Sequence, residues 1–320
     1  MSPFLHDRSG RMRMTFDGDQ AKTALGGLLT NDVVALKPGD GQRAVALTPK
    51  GRVIALCRVF DRGSDVLVDC DAAAGEGFAA MIRKFVNPRL SKHTLISGTT
   101  GCIAVHGDGA AALVVTALGA DAATATANTL ETLAPLGGRW VGEGDDAVWI
   151  VRSIDLSVPG FDLFASRARV DAVRAALEAL AVRGATADEV RVHRIEAGLP
   201  EWGVEMDGET IPQEAVLDDL GAISFTKGCY TGQEVVARIH FRGHVNRHLR
   251  WLASESPLRA GARVIDANGA EVGDVRSAVV SPSRGPLAMA MVRREVEPGT
   301  TVTVKDDVGA EPARVERISA

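Results

Sequence analysis

The last quarter of the chain most constrains its fold, because the pattern from Val245 onward favours strands alone. Val245, Leu249 and Trp251 begin an alternation of apolar and polar residues that is typical of a half-buried strand. Turn sequences then recur at short intervals, at Asn268-Gly269, residues 281–286, Pro298-Gly299 and residues 306–309. Short strands separated by frequent turns are typical of small antiparallel structures. The sequence therefore predicts a C-terminal barrel or sandwich.

The preceding part of the chain mixes helices with hairpins and shows no regular alternation of single strands and helices. Apolar periodicity predicts helices at residues 20–29, 72–85, 110–118, 169–182 and 187–198. It predicts strands at residues 44–47, 52–60, 66–69, 95–97, 102–105, 148–154 and 161–165. Such a mixture favours an α+β fold over a doubly wound parallel sheet.

Length and composition exclude several classes of protein. At 320 residues the chain can bury a large core, and its length suggests two or three domains. Charged residues or glycines interrupt each apolar run well before the roughly 18 residues that a membrane helix needs. The N-terminal segment lacks the apolar core of a signal peptide. We therefore expect a cytoplasmic protein with no membrane segment, and we expect it to be a monomer.

The segment KGCYTGQEVVAR, from Lys227 to Arg238, has the local chemistry of a reactive cysteine. Thr231 and Glu234 fit a Thr-x-x-Glu capping box, which predicts a helix that begins just after Cys229. Free backbone N–H groups and the helix dipole would stabilise a thiolate there. Lys227 and Arg238 would lower the thiol pKa further. A small buried core residue is the common alternative for a cysteine outside a disulfide.

The other three cysteines, Cys57, Cys70 and Cys102, lie in apolar strand sequences and read as core residues. No Cys-x-x-Cys spacing indicates a zinc site or a disulfide framework. His240, His244 and His248 are spaced by four, but Gly243 interrupts the helix that would align them, and we predict no metal site.

A dinucleotide-type G-x-G-x-x-A pattern begins at Gly107 between a predicted strand and a predicted helix. The second strand that should end in an acidic residue about 20 residues later is missing from the sequence. We therefore interpret Gly107 and Gly109 as a tight turn.

Charge is unevenly distributed in this chain of net charge −5. Five Lys or Arg and one acid, Glu234, lie between Lys227 and Arg250, a local charge of +4 that leaves −9 for the other residues. A basic strip in an acidic protein suits a small anionic ligand and argues against a general nucleic-acid binder.

A second candidate site lies in RIEAG, where Arg194 and Glu196 fall on a predicted helix. A guanidinium and a carboxylate together complement the donor and acceptor edges of a pterin. A surface ion pair is the common alternative reading.

These segments also carry a family resemblance. KGCYTGQEVVAR, with RIEAGLPEWGVEM upstream, resembles the signature of the YgfZ family, folate-binding proteins of iron–sulfur cluster maturation related to the glycine-cleavage aminomethyltransferase. LLTNDV, LTPKGRV, PGFDLF and VGDVRSAVVSPS match further segments of the family, so the resemblance extends over essentially the whole chain.

The resemblance implies a three-lobed fold around a central folate pocket. It implies a discontinuous folate-binding lobe of residues 1–40, 100–117 and 186–243, and a ferredoxin-like α/β lobe of residues 41–99 and 118–185. A small β-barrel of residues 244–320 would complete the fold.

The resemblance also implies tetrahydrofolate as the cofactor. The residues expected to contact it are Arg194, Asp162, Glu196, Tyr230 and Gln233. Cys229 would be the reactive group, with Lys227 and Arg238 binding an anion or holding the thiolate. The acids Asp69, Asp71 and Glu76 lie where one-carbon-transferring relatives have an acid, although complementing a helix dipole explains them equally well.

The function implied is that of a tetrahydrofolate-binding accessory protein for the assembly or repair of iron–sulfur clusters in client enzymes. Expected partners are folate and either client enzymes or assembly factors. Two alternatives stay open. One is a folate-dependent aminomethyltransferase of glycine cleavage. The other is an RNA-binding module that contacts RNA through the basic strip around Arg238 to Arg250, although the aromatic residues there, Tyr230, Phe241 and Trp251, are few for stacking.

Overall fold

The computed structural model describes residues 1–119 and 125–318, and two β-sheets, a closed barrel and packed helices make up its regular structure. The predicted α+β class is confirmed, and the C-terminal strands form a barrel rather than a sandwich. The helices are α1 (Ala21–Gly26), α2 (Ala72–Phe85), α3 (Ala110–Leu118), α4 (Ala127–Glu131), α5 (Arg167–Ala179), α6 (Ala187–Glu196) and α7 (Gln233–Arg242). The strands before the barrel are β1 (Phe4–Asp7), β2 (Met12–Asp17), β3 (Gly41–Leu47), β4 (Val53–Asp61), β5 (Val66–Cys70), β6 (Lys92–Leu95), β7 (Thr100–His106), β8 (Gly138–Val141), β9 (Val148–Ser153), β10 (Gly160–Ser166) and β11 (Arg183–Gly184).

The first sheet, which we call the N-terminal sheet, has five strands in the order β3-β4-β5-β2-β6. All of its paired neighbours are antiparallel. Helix α2 packs on this sheet through Phe78 and Ile82. These two residues lie four positions apart on the same side of the helix and are completely buried. They share one core with Phe16, Val59 and Val68 of the sheet.

The second sheet, which we call the central sheet, has six strands in the order β11-β1-β7-β10-β9-β8. Strand β1 is antiparallel to β7 and parallel to β11. Helices α3 and α5 cover one face, where Val114 and Val173 pack with Ile103 and Leu163 of the sheet. Between β7 and α3, Gly107 and Gly109 adopt φ values of 106° and 72°, as a tight turn requires.

The chain passes from one sheet to the other within its first twelve residues. Strand β1 belongs to the central sheet, β2 belongs to the N-terminal sheet, and residues 8–11 connect them. This crossing places Arg8 and Arg11 at the junction of the two sheets. Neither strand was predicted from the sequence, although MRMTFD of β2 alternates apolar and polar residues as a half-buried strand does.

The barrel closes in the order β12-β15-β14-β13-β16-β17, from β12 (Arg247–Ser254), β13 (Arg263–Ile265), β14 (Glu271–Ser281), β15 (Gly285–Arg293), β16 (Thr301–Lys305) and β17 (Ala310–Glu316). Its interior is apolar, with Leu252, Val264 and Val292 completely buried. Helix α6 packs against β14 and β15. Trp251 fixes this contact, because its indole Nε1 donates a hydrogen bond of 2.7 Å to the carbonyl of Ile195.

The predicted bounds of the three lobes stay a prediction. Strand pairing in the first 184 residues does not follow those bounds. Residues 12–17 pair within the N-terminal sheet, and residues 160–166 pair with residues 100–106 in the central sheet. Residues 120–124 and 319–320 of the predicted lobes lie outside the described residues. Within the described residues, no helix is both long and apolar enough to cross a membrane.

Candidate functional site

A cavity of about 530 Å³ lies at the junction of the two sheets and α6. Its wall combines the β1–β2 connection, strands β3 and β4, the segment after β9, the first turns of α6, and residues 199–201. Apolar side chains contribute part of the wall. Six arginines line it as well: Arg8, Arg11, Arg43, Arg58, Arg191 and Arg194.

Four of these arginines form a continuous ion network with four aspartates, which we call the floor network: Arg8, Arg11, Arg43 and Arg58 with Asp69, Asp71, Asp155 and Asp162. Arg58 Nη2 lies 2.8 Å from Asp69 Oδ1, and Arg58 Nη1 contacts Asp162. Arg8 lies 3.0 Å from Asp162 Oδ2 and 2.7 Å from Asp155 Oδ2. Because Asp69 is on β5 and Asp162 is on β10, the network joins the two sheets.

The electrostatics of the floor network keep Asp155 and Asp162 ionised. Burial by itself would raise the pKa of Asp162, but the charges of Arg8 and Arg58 outweigh burial and lower it. The pKa of Asp155 is held well below its usual range for the same reason, by Arg58, Arg8 and Arg43 against the effect of burial. The aspartates of the floor network thus balance the charges of its four arginines.

Arg194 lies on the cavity wall, as its predicted role requires, but its guanidinium is already engaged. It donates to Glu205 at 2.9 and 3.1 Å and to the carbonyl of Leu199 at 2.7 Å. Its Nε lies 3.2 Å from Glu201 Oε2. The Glu205 side chain is completely buried, so this pair is structural whatever else Arg194 binds.

Asp162 and Glu196 do not lie on the cavity wall. The Asp162 carboxylate is completely buried beneath Arg8 and Arg58. Glu196 instead accepts a hydrogen bond of 2.6 Å from Ser157, in the segment between β9 and β10, and one of 2.8 Å from Ser283 of the barrel. Burial would raise the pKa of Glu196, but these serine hydroxyls outweigh burial and lower it.

Cys229 lies on an exposed loop before α7, whereas Cys57, Cys70 and Cys102 are buried. The predicted capping box is wrong, because the helix begins at Gln233 and its N-cap residue is Gly232, with φ of 81° and no side-chain cap. A Cβ at Gly232 would lie 2.6 Å from the carbonyl oxygen of Thr48, so the loop packs too closely for another residue. The three buried cysteines confirm the core assignment made from the sequence, and burial raises the thiol pKa of Cys57 and Cys102.

Lys227 points into the protein from this loop. Its ammonium donates to the carbonyl oxygens of Leu29 at 2.8 Å and Asn31 at 3.1 Å, and also contacts that of Gly26. It lies 5.1 Å from the centre of the Tyr230 ring. Burial lowers the pKa of Lys227 to about 8. The side chain therefore ties the Cys229 loop to residues 26–31.

The remaining residues predicted for this site are arranged around α7. Tyr230 is buried, and burial raises its pKa to about 12. Gln233 is half-buried in the first turn, and Arg238 is exposed. None of these three residues, nor Cys229 or Lys227, lies on the wall of the 530 Å³ cavity. The described structure thus separates the cavity from the cysteine loop.

Sequence reasoning named Asp69, Asp71 and Asp162 but missed the four arginines of the floor network, Asp155 and His6. The signal for Arg43 and Arg58 was a cation at the start of the apolar strand sequence RAVAL and another within CRVF. His6 lines the cavity, and burial, followed by the charge of Arg8, lowers its pKa to about 3, so its imidazole is neutral at physiological pH. Nothing in the sequence brings Arg8 close to Asp162.

Comparison with known proteins decides the family. A sequence model of the GCVT N-terminal domain matches residues 3–226, and one of the glycine cleavage T-protein C-terminal barrel domain matches residues 247–317. This chain belongs to the GCVT N-terminal domain family. Curated relatives within the family are named tRNA-modifying protein YgfZ.

The YgfZ protein of Cronobacter sakazakii is 28% identical over 94% of this chain and 88% of its own length. That of Klebsiella pneumoniae is 38% identical, but the match covers only 36% of this chain and 37% of the relative. The glycine cleavage system aminomethyltransferase T of Bartonella henselae has the same fold, with a TM-score of 0.86, 21% identity, and 99% and 86% of the two chains covered. These findings confirm the resemblance found in the sequence and support a YgfZ-like, folate-related function.

Proposed function

We propose that this protein binds tetrahydrofolate in the 530 Å³ cavity and supports the assembly or repair of iron–sulfur clusters in client enzymes through Cys229. The arginine-lined cavity is the observation that carries the proposal. Its volume falls in the range of about 300–1,000 Å³ that is usual for cofactor sites. It lies at the junction of the two sheets in a fold shared with an aminomethyltransferase.

The chemistry of the wall fits folate. Leu56, Leu156, Val190 and Pro200 supply apolar surface for a flat heterocycle. His6 Nδ1 and Arg43 Nε are buried polar atoms without a hydrogen-bond partner among the described residues. Such orphaned atoms favour a polar ligand, because a buried donor or acceptor left unpaired costs about 1–3 kcal/mol.

Arg191 is placed to bind the anionic glutamate tail of tetrahydrofolate. It lines the cavity from α6, its side chain is half-exposed, and its ion-pair partner Asp188 is on the surface. Arg194 would meet the pterin while it stays paired with Glu205. Asp162 would act as a positioning residue that holds Arg8 and Arg58, and Glu196 would position α6 against the barrel.

Cys229 supplies the reactive group. Thiol exchange, a one-carbon adduct on sulfur and transient ligation of iron all require an accessible thiolate. Cys229 is the exposed cysteine of the described chain, and Lys227 holds its loop in place. Tyr230 and Gln233 would support that loop, and Arg238 would contribute positive charge.

Titration of tetrahydrofolate by calorimetry tests the cavity. Arg191→Ala should weaken binding about fivefold, close to the 1 kcal/mol that a partly exposed charged hydrogen bond contributes. Arg183→Ala is the matched control, because Arg183 is exposed on β11 and pairs with Glu189 away from the cavity. Absence of binding to the wild type, or equal losses in both variants, would remove folate from the cavity.

Complementation tests the thiol. In a strain that lacks the protein, Cys229→Ser should fail to restore iron–sulfur enzyme activity, although its folate affinity should stay within a factor of a few. Full restoration would show that the thiol is dispensable.

The described geometry does not favour the two alternative functions. Of the three aromatic residues considered for RNA stacking, Tyr230 and Trp251 are buried, and Phe241 alone is exposed. The likeness to the aminomethyltransferase, at 21% identity, is a likeness of fold.

A further inference from the structure

Helix α7 presents an exposed face of which the proposed chemistry uses Arg238 alone. Val236, on its inner side, is completely buried, and Val235 packs against Gly51. Arg238, Phe241 and Arg242 are exposed at a spacing of three and four residues, which places them on one side of the helix.

Phe241 is the most exposed aromatic side chain of the described residues, at 66%. It is nevertheless held in place, because its ring meets that of His240 edge-on at 4.7 Å between centroids. His240 in turn stacks on Phe225 at 3.6 Å with an angle of 12° between the rings, and Phe225 packs against the core beneath. A fixed aromatic ring in solvent loses little conformational entropy when a partner covers it.

Arg238 and Arg242 flank this ring, and neither guanidinium has a hydrogen-bond or ion-pair partner in the described part of the chain. Two other exposed or half-exposed arginines are paired: Arg247 lies 3.1 Å from Glu214, and Arg317 lies 3.0 Å from Asp219. Aromatic and arginine side chains dominate the residues that contribute most to protein–protein binding. The two unpaired arginines beside the fixed Phe241 ring therefore have the composition of a protein-binding site.

We propose that Arg238, Phe241 and Arg242, together with His240 and Phe225, form a docking surface, the α7 face, for an acidic partner protein. The partner would present two carboxylates about 6 Å apart, one helical turn, on either side of an apolar pocket that receives the Phe241 ring. The rest of this chain carries a net negative charge, whereas the α7 face lies in the basic strip, so the charges of the chain favour an acidic partner at this face.

Charge and shape favour a protein over RNA at this surface. One protruding ring and two free arginines are few for a nucleic-acid strand, which needs a continuous basic groove and several stacking platforms.

The docking surface would serve Cys229 directly. Helix α7 has ten residues and is about 15 Å long, and Cys229 lies just before its first turn, so a partner seated on the α7 face comes within reach of the thiol. The identity of the partner as an iron–sulfur client rests on the function proposed above, whereas the surface itself does not.

Photocrosslinking in cells tests the surface. The full-length chain carrying p-benzoylphenylalanine at position 241 should form a nuclease-resistant adduct with a protein, crosslinked at a segment rich in Asp and Glu. Adding Arg238→Glu and Arg242→Glu should reduce the yield about tenfold. The control carries the crosslinker at Val308, which is 72% exposed in the barrel. An adduct no stronger than the control, a yield that ignores the two arginines, or a nuclease-sensitive adduct would overturn the proposal.

Complementation separates this proposal from the function of the site. Phe241→Ala should reduce iron–sulfur enzyme activity in the deletion strain at least fivefold, with Val308→Ala as control, and leave tetrahydrofolate affinity and the alkylation rate of Cys229 unchanged. Full activity of Phe241→Ala beside an inactive Cys229→Ser would overturn the docking surface alone. Full activity of Cys229→Ser would count against the proposed function instead, and the crosslink would still decide the surface.

Discussion

Replacing Arg194 by alanine should destabilise the protein strongly, whatever Arg194 does for ligand binding. Its partner Glu205 has a completely buried side chain and would lose two charge-assisted hydrogen bonds of 2.9 and 3.1 Å. Breaking a buried ion pair on one side typically costs 3–5 kcal/mol. Glu205 keeps the backbone N–H of Glu201 at 2.8 Å and the hydroxyl of Ser277. We therefore expect the lower end of that range, about 3 kcal/mol.

The matched control removes both charges. Arg194→Met combined with Glu205→Gln leaves an amide oxygen that accepts from the Glu201 N–H and an amide N–H that donates to the Ser277 hydroxyl, so this double variant should lie within about 1 kcal/mol of the wild type. Urea unfolding at pH 7 with linear extrapolation measures all variants on one scale. A cost below about 1 kcal/mol for Arg194→Ala, or equal costs for the single and double variants, would refute the reasoning. The role of Arg194 in folate binding should accordingly be measured in the double variant, where we expect at least a tenfold loss.

Iodoacetamide should label Cys229 at least about tenfold faster than the buried cysteines, as measured by mass spectrometry after timed quenching, and faster labelling elsewhere would contradict its assignment. Acid should weaken the fold through Asp155 and Asp162. Their pKa values are lowered in the folded protein, so the stability they contribute is complete above the unfolded pKa of about 3.9 and is lost as the pH falls towards the folded values. Urea midpoints that do not fall between pH 5 and pH 3 would exclude this linkage. Lys227→Met should increase amide hydrogen exchange in residues 26–31 and 221–231, because three carbonyl groups lose a charged donor. Unchanged exchange would show that main-chain bonds alone hold the loop.

Local sequence patterns predicted the elements whose stability is local. The spacing of apolar residues in α2 gave its bounds without error at Ala72–Phe85. The turn sequences after Val245 predicted the barrel strands, and apolar neighbours predicted that Cys57, Cys70 and Cys102 are buried.

The features that depend on distant contacts were not predictable from one sequence. Arg8 and Asp162 are 154 residues apart, and only the pairing of β1 with β7 and of β7 with β10 brings them together. The sequence suggested that Lys227 binds an anion. Its actual partners, backbone carbonyl groups about 200 residues earlier in the connection between α1 and β3, cannot be recognised from the sequence. The capping box failed because the close approach of Gly232 to Thr48, a tertiary contact, overrides the local preference of Thr231.

The position of β1 has a consequence for synthesis on the ribosome. Strand β2 finds its partners β5 and β6 once residue 95 has emerged, so the N-terminal sheet can form early. Strand β1, only four residues upstream of β2, must wait for β7 and finally for β11 at residues 183–184. At about 5–20 residues per second, the interval between residue 95 and residue 184 lasts roughly 4–18 seconds. Strand β1, which includes His6, has no partner strand until residue 106 has emerged, and from then until residue 184 its second edge stays unpaired and available to chaperones and proteases.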